Sequence, residues 1–182
     1  MPNESERSSS VQPENTVMEQ GVETRAEVRY AVENPTDFRA ATRVWSEILP
    51  IMGRHFNELN AMLGLKFNPD WNQIAALLTS QQMVIATARR NNKLIGYQVW
   101  IINNTLHCLG TRLGYLWAVT GGRSVGADQD QLMAVSLQYL RAIGVTAVLA
   151  NAKIGSGAMK LLERQEFKPM ELMMGRPLWR SR

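Results

Sequence analysis

The sequence is nearly without cysteine: Cys108 is the only one in 182 residues. A lone thiol forms no intrachain disulfide and founds no cysteine-based metal site. Long apolar runs are missing too, none approaching the ~20 residues that a helix needs to cross a bilayer. The opening stretch from Met1 to Ser10 holds no apolar segment and does not read as a secretory signal. No internal repeat is visible. The basic residues are scattered rather than gathered in a run, which argues against a dedicated nucleic-acid arm. These absences lead us to expect a cytosolic chain with no membrane-embedded part.

What is present suits one ordinary domain with a tail. Hydrophobic residues make up 45 % and charged residues 20 % of the chain, a balance that can bury a core. Residues 1–27 differ, being rich in Ser, Glu, Gln, Asn and Thr with almost no aromatic residues. Such a segment buries too little apolar surface to offset its ordering entropy. We expect a flexible acidic tail over residues 1–27, ordered only by a partner, and a single domain over residues 28–182. The tail carries six Glu and two Arg, a net of −4, and the whole chain +4, so residues 28–182 carry +8. A basic domain suits an anionic partner such as a nucleotide-like cofactor, nucleic acid or an acidic protein surface; it equally suits a solvated basic surface.

Residues 27–32 alternate polar and apolar and predict a first strand. Asn34 to Asp37 predict a turn, with Thr36 or Asp37 as a helix cap. Phe38, Ala41, Val44, Trp45 and Ile48 recur at helical spacing. Pro50 is expected to break that helix, a second short one running to about Leu63. Another helix opens at Asn68–Trp71, with Ile74, Leu77 and Leu78 inward. Residues 83–90 and 94–102 predict a β-hairpin across the tight turn Asn91-Asn92-Lys93. A strand at 113–119 follows, then a helix at 128–143 that stops at Gly144. A buried strand at 145–150, a short helix at 157–164 and a final strand at 167–174, with Pro169 near its start, complete the pattern. This order predicts an α/β fold, a mixed α+β sheet with a crossover helix in the middle.

One stretch carries chemistry. Thr120-Gly-Gly-Arg-Ser-Val-Gly-Ala-Asp-Gln-Asp-Gln-Leu132 leaves a strand through a Gly-rich turn and enters a helix. A helix start leaves backbone N–H groups unpaired and carries partial positive charge, so it suits an anion. Gly126 permits close backbone approach and Arg123 adds a cation. Asp128 and Asp130 stabilise a helix start by themselves and would repel a diphosphate. The stretch therefore reads equally as a Gly-rich turn with an Asp-capped helix.

The order of elements over residues 28–178 resembles the GNAT superfamily of N-acetyltransferases, and more closely the GNAT-like proteins encoded by bacteriophages. Four places carry the resemblance. The hairpin Met83–Tyr97 with its Ile95-Gly96 is similar to the family's strand, turn and "I-G" strand. Leu106-His107 falls where phage-type members often have such a pair. Trp117–Ala127 resembles the family's strand and pyrophosphate loop, and Gly155–Pro169 its last helix with the "G-F-x-P" exit. The resemblance implies a GNAT-like acyl-CoA N-acyltransferase fold. It also implies acetyl-CoA as cosubstrate in the splay beside strand 113–119.

The resemblance also implies roles. The cosubstrate would meet Trp117, Ala118 and Val119 on the strand and Arg123, Ser124, Val125, Gly126, Ala127 and Asp128 on the loop. A main-chain N–H near Ala118 would polarise the thioester carbonyl. Asn151, just after its strand, would reach the pantetheine or helix 157–164. The family's usual Glu base is absent from strand 113–119, and Leu162 stands at the place of the usual Tyr acid. His107 and Tyr115 are then the catalytic candidates, each open to a plain packing role. Cys108 reads as a small buried hydrophobe, and His55 as a helix surface residue or part of the acceptor side.

These features admit three alternative functions, of which the first is ranked ahead of the others. The first is acetyl transfer to an unidentified amine, on a small molecule or a protein. The second is a catalytically inactive GNAT-like fold serving a phage virion or another assembly. It would dock through the tail and the Met/Trp/Arg-rich end, where Met159, Met170, Met173, Met174 and residues 175–182 fall. The third, suggested by the charge alone, is a nucleic-acid-modifying enzyme.

Overall fold

A computed structural model describes residues 27–33, 38–60, 66–105, 109–120, 127–152 and 154–170. The elements run β1 (Val28–Glu33), α1 (Phe38–Asn60), α2 (Trp71–Thr79), β2 (Met83–Arg90), β3 (Lys93–Asn104), β4 (Arg112–Thr120), α3 (Gln129–Ala142), β5 (Ala147–Ala150) and α4 (Gly157–Arg164). The five strands lie in the order β1-β2-β3-β4-β5. Neighbours are antiparallel from β1 to β4, and β4 pairs β5 in parallel. Parallel pairing requires a crossover, which α3 supplies.

Local chemistry places these elements. At the β2–β3 turn Asn91 and Asn92 take φ of 51° and 61°, the left-handed pair that a two-residue hairpin needs and that Asn tolerates. The Asp70 side chain accepts the N–H groups of Asn72 and Gln73 and starts α2. Gly144, at φ 82°, ends α3 as expected.

Helices cover both faces of the sheet. On one face, Val44, Trp45, Ile48 and Met52 of α1 and Ile74 and Leu78 of α2 pack on Met83, Ile85, Tyr97 and Val99. On the other, Met133 and Leu140 of α3 and Leu161 and Leu162 of α4 pack on Trp100, Ile102 and Leu116. Among the described residues no helix is long and apolar enough to cross a membrane.

Three expectations need correction or a limit. Pro50 does not break α1, which runs through it to Asn60. The proline is exposed, and the buried stripe from Val44 to Met52 spans it, so packing outweighs the one lost backbone hydrogen bond. β5 is not a buried strand. Among the described residues it is the last strand of the sheet, exposed at Ala147 and half-buried beyond, and it starts two residues later than expected. Residues 167–170 form no strand, and 171–174 lie outside the described residues, as do 1–26, 34–37 and 61–65.

Candidate active site

Pairing between the two parallel strands ends midway along β4. Pairing of β4 with β5 runs from Leu113–Ala147 to Leu116–Ala150 and stops. β4 continues to Thr120, held on its far side by β3 through Ala118–Val99 and Thr120–Tyr97. Among the described residues, no strand pairs with Trp117–Thr120 on the β5 side. The result, among the described residues, is an opening in the ladder with the main chain of Trp117–Thr120 along one side. The chain leaves it after Ala150 and enters α4 through Gly155 and the Ser156 cap.

A bulge sits where the strands part. Leu116 faces Trp100 and Ala118 faces Val99, so Trp117 is an extra residue in β4. Its ring meets that of Trp45 on α1 at a centroid distance of 6.3 Å and a tilt of 59°.

Two predicted site residues meet across the opening. Tyr115 is half-buried on β4 and Asn151 is the first residue after β5. The Asn151 side-chain amide donates to the Tyr115 hydroxyl. Register explains the meeting: Tyr115 pairs with Leu149, and Asn151 lies two residues further on the same face. The sequence marks both residues but not their contact, since they are 36 positions apart.

The start of α3 closes on itself. Asp128 caps the helix, accepting the N–H of Asp130 at 2.9 Å and of Gln131 at 3.4 Å, while its own N–H donates to the Tyr30 hydroxyl at 2.8 Å. Asp130 receives Arg164 at 2.8 Å and Gln165 at 3.0 Å, tying α3 to α4. Hydrogen bonding to Asp130, helped by the charge of Asp128, holds the Arg164 guanidinium above its ordinary pKa. Ala127 is buried. The Gln129 side chain donates to the Thr120 carbonyl at 2.9 Å and pairs with buried Gln98, which accepts from Ser136 and the Trp100 indole. Gly96 allows this closure: a Cβ there would lie 3.0 Å from the Ala127 Cβ and 3.3 Å from the Thr120 carbonyl.

His107 and Arg123, Ser124, Val125 and Gly126 lie outside the described residues. Leu162 is buried in the α4 core. Sequence reasoning missed Trp45 as the backing for Trp117 and missed a polar cluster on the α1 face. There Arg89 bonds Glu33 at 2.5 Å and Glu47 at 2.7 Å, and the Thr87 hydroxyl donates to Glu33 at 2.6 Å. Burial pushes the Glu33 carboxyl up, but the hydrogen bonds from Arg89 and Thr87 outweigh it, and the group titrates below its ordinary value. An Arg, a Glu and a Thr on neighbouring strands were visible signals, but strand register was needed to join them.

A cavity of about 360 Å³ lies elsewhere, lined by Gln81, Val84, Arg112, Tyr139 and Ile143. Its one cation, Arg112, already donates to the Ile143 carbonyl at the end of α3. The Tyr115–Asn151 pair lies at the end of β4–β5 pairing and not in this cavity.

No protein-family model and no curated protein sequence matches the chain. Solved structures do match its fold. An aminoglycoside acetyltransferase from an uncultured soil metagenomic sample shares 13 % identity over 84 % of this chain and 99 % of its own, with a TM-score of 0.63. A predicted acetyltransferase from Clostridium acetobutylicum, in a structure with acetyl-CoA, shares 12 % over 84 % of this chain and 97 % of its own, TM-score 0.59. A ribosomal-protein-alanine N-acetyltransferase from Brucella melitensis biovar Abortus 2308 shares 15 % over 82 % of this chain and 100 % of its own, TM-score 0.53. The chain thus has the fold of GNAT-type acetyltransferases.

Proposed function

We propose that the chain is an N-acetyltransferase that uses acetyl-CoA as cosubstrate. The observation that carries this reading is the run of β4 past the end of β5, with the bulge at Trp117 and the Tyr115–Asn151 pair at the point of divergence. An unpaired strand wall offers alternating N–H and C=O groups, which suit the amides of a pantetheine arm as a further strand would. The similar fold of a protein in a structure with acetyl-CoA supports the same reading. Fold alone does not fix function.

In this reading Trp117, Ala118 and Val119 receive the pantetheine through their main chain, and an N–H near Ala118 polarises the thioester carbonyl. The segment Arg123, Ser124, Val125, Gly126, Ala127 and Asp128 receives the pyrophosphate, with Arg123 as its cation. Asp128 and Asp130 repel that group less than their charges suggest, since one caps α3 and the other is paired with Arg164. His107 takes the proton from the incoming amine. The amine nitrogen bonds to the carbonyl carbon, the carbon–sulfur bond breaks, and the thiolate takes its proton from the Tyr115 hydroxyl, which water restores. Asn151 holds that hydroxyl in place. The acceptor is a primary amine: similar folds belong to proteins named for aminoglycosides and for a ribosomal-protein alanine.

The test is a mixture of primary amines incubated with the protein and acetyl-CoA. Release of coenzyme A thiol together with a product heavier by one acetyl group supports the reading. Thiol release at the uncatalysed rate with every amine opposes it.

A further inference from the structure

Trp117 exposes much of its ring just past the point where β4–β5 pairing ends. It is 45 % exposed, and it is the one strand residue among the large exposed hydrophobics of the described residues. The others are Trp71 at a helix start, Leu109 and Ile154 in turns, and Met170 beyond α4. The bulge frees Trp117 from the in–out alternation of β4, and its ring leans toward α1.

The ring is also backed. Trp45 is buried in the α1 face and meets Trp117 within the range of favourable aromatic pairs. The Trp45 indole N–H is buried without a hydrogen-bond partner among the described residues. Buried donors are normally satisfied.

We propose that Trp117 and Trp45 form the acceptor subsite, and that the acceptor is a primary amine carried on a flat apolar body of aromatic-ring size. The proposal rests on the acetyltransferase reading. Trp117 stands two residues after Tyr115 and next to Ala118, so its ring flanks the place assigned to the thioester. An aromatic body on the indole face removes apolar surface from water and gains ring–ring contact. A polyamine gains a cation–π contact for one of its charges. Its other charges would need free carboxylates, and Glu47, two residues from Trp45 on α1, is already engaged by Arg89.

The test compares phenethylamine with spermidine as acceptors, by thiol release, in the wild type, Trp117→Ala and Trp117→Phe. An acetyl-CoA titration and a thermal melt accompany each protein. The expected wild-type kcat/KM is at least tenfold higher for phenethylamine. Trp117→Ala is expected to raise the phenethylamine KM about tenfold with a smaller change in kcat, and Trp117→Phe to restore most of it. Equal use of the two amines, transfer to neither by a protein that binds acetyl-CoA, or an unchanged phenethylamine KM in a folded Trp117→Ala overturns the proposal. Failure of the wild type to bind acetyl-CoA overturns the acetyltransferase reading beneath it.

Discussion

The Asn151 side chain donates a hydrogen bond to the Tyr115 hydroxyl across the mouth of the β4–β5 opening. That contact gives Asn151 a role other than holding pantetheine, and the two roles separate kinetically. If Tyr115 supplies the proton to the leaving thiolate, Tyr115→Phe lowers kcat by about 100-fold, in the range of general acid catalysis, with the acetyl-CoA KM near the wild-type value. Asn151→Ala lowers kcat by a smaller factor, and the double variant is no worse than Tyr115→Phe because the two act as one unit. A raised acetyl-CoA KM with kcat retained in Asn151→Ala would return Asn151 to the pantetheine. Steady-state kinetics on the four proteins decides.

A second prediction concerns the seam between β3 and the start of α3. A Cβ at Gly96 would meet the Ala127 Cβ at 3.0 Å, the Gln129 Nε2 at 3.2 Å and the Thr120 carbonyl at 3.3 Å. Gly96→Ala is expected to destabilise the fold by about 1–3 kcal/mol, as overpacking does, and to weaken acetyl-CoA binding along with it. Urea denaturation measures the first effect and calorimetry the second. Wild-type values in both would mean that the seam yields freely and has no part in the site.

How much of this was legible in the sequence depends on the range of the interaction. The hairpin turn at Asn91 and Asn92, the stop at Gly144 and the Asp128 cap are set by residues within a few positions, and each forms as expected. The passage of α1 through Pro50 depends on a buried stripe that meets another layer, which periodicity shows but cannot weigh against the lost hydrogen bond. The place of β5 as the last of the described strands follows from strand order, which an apolar run such as Val145–Ala150 does not encode. In the site, Tyr115 and Asn151 were each identifiable, but their contact follows from parallel register. The Trp117 bulge left no mark at all, since it arises from how β3 and β4 align.

A third prediction comes from the Arg89 cluster. The folded Glu33 carboxyl titrates below its ordinary value, whereas in the unfolded chain it titrates near ~4.3. Its contribution is therefore fully present above the unfolded value and is lost as pH falls through the folded one. The wild type should lose stability on acidification from about pH 5 downward, and Glu33→Gln should start lower and fall less steeply. Denaturant midpoints across that window check this. Parallel curves for the two proteins would show that Glu33 has no coupling to Arg89 and Thr87.

The most direct measurement is a calorimetric titration of acetyl-CoA into the wild type and Asp128→Gly. The account predicts binding by the wild type in the micromolar range usual for such substrates. It predicts tighter binding by the variant, which removes a carboxylate near the pyrophosphate at a cost of a few tenths of a kcal/mol in helix capping. No binding by the wild type would contradict the account, whatever the variant does.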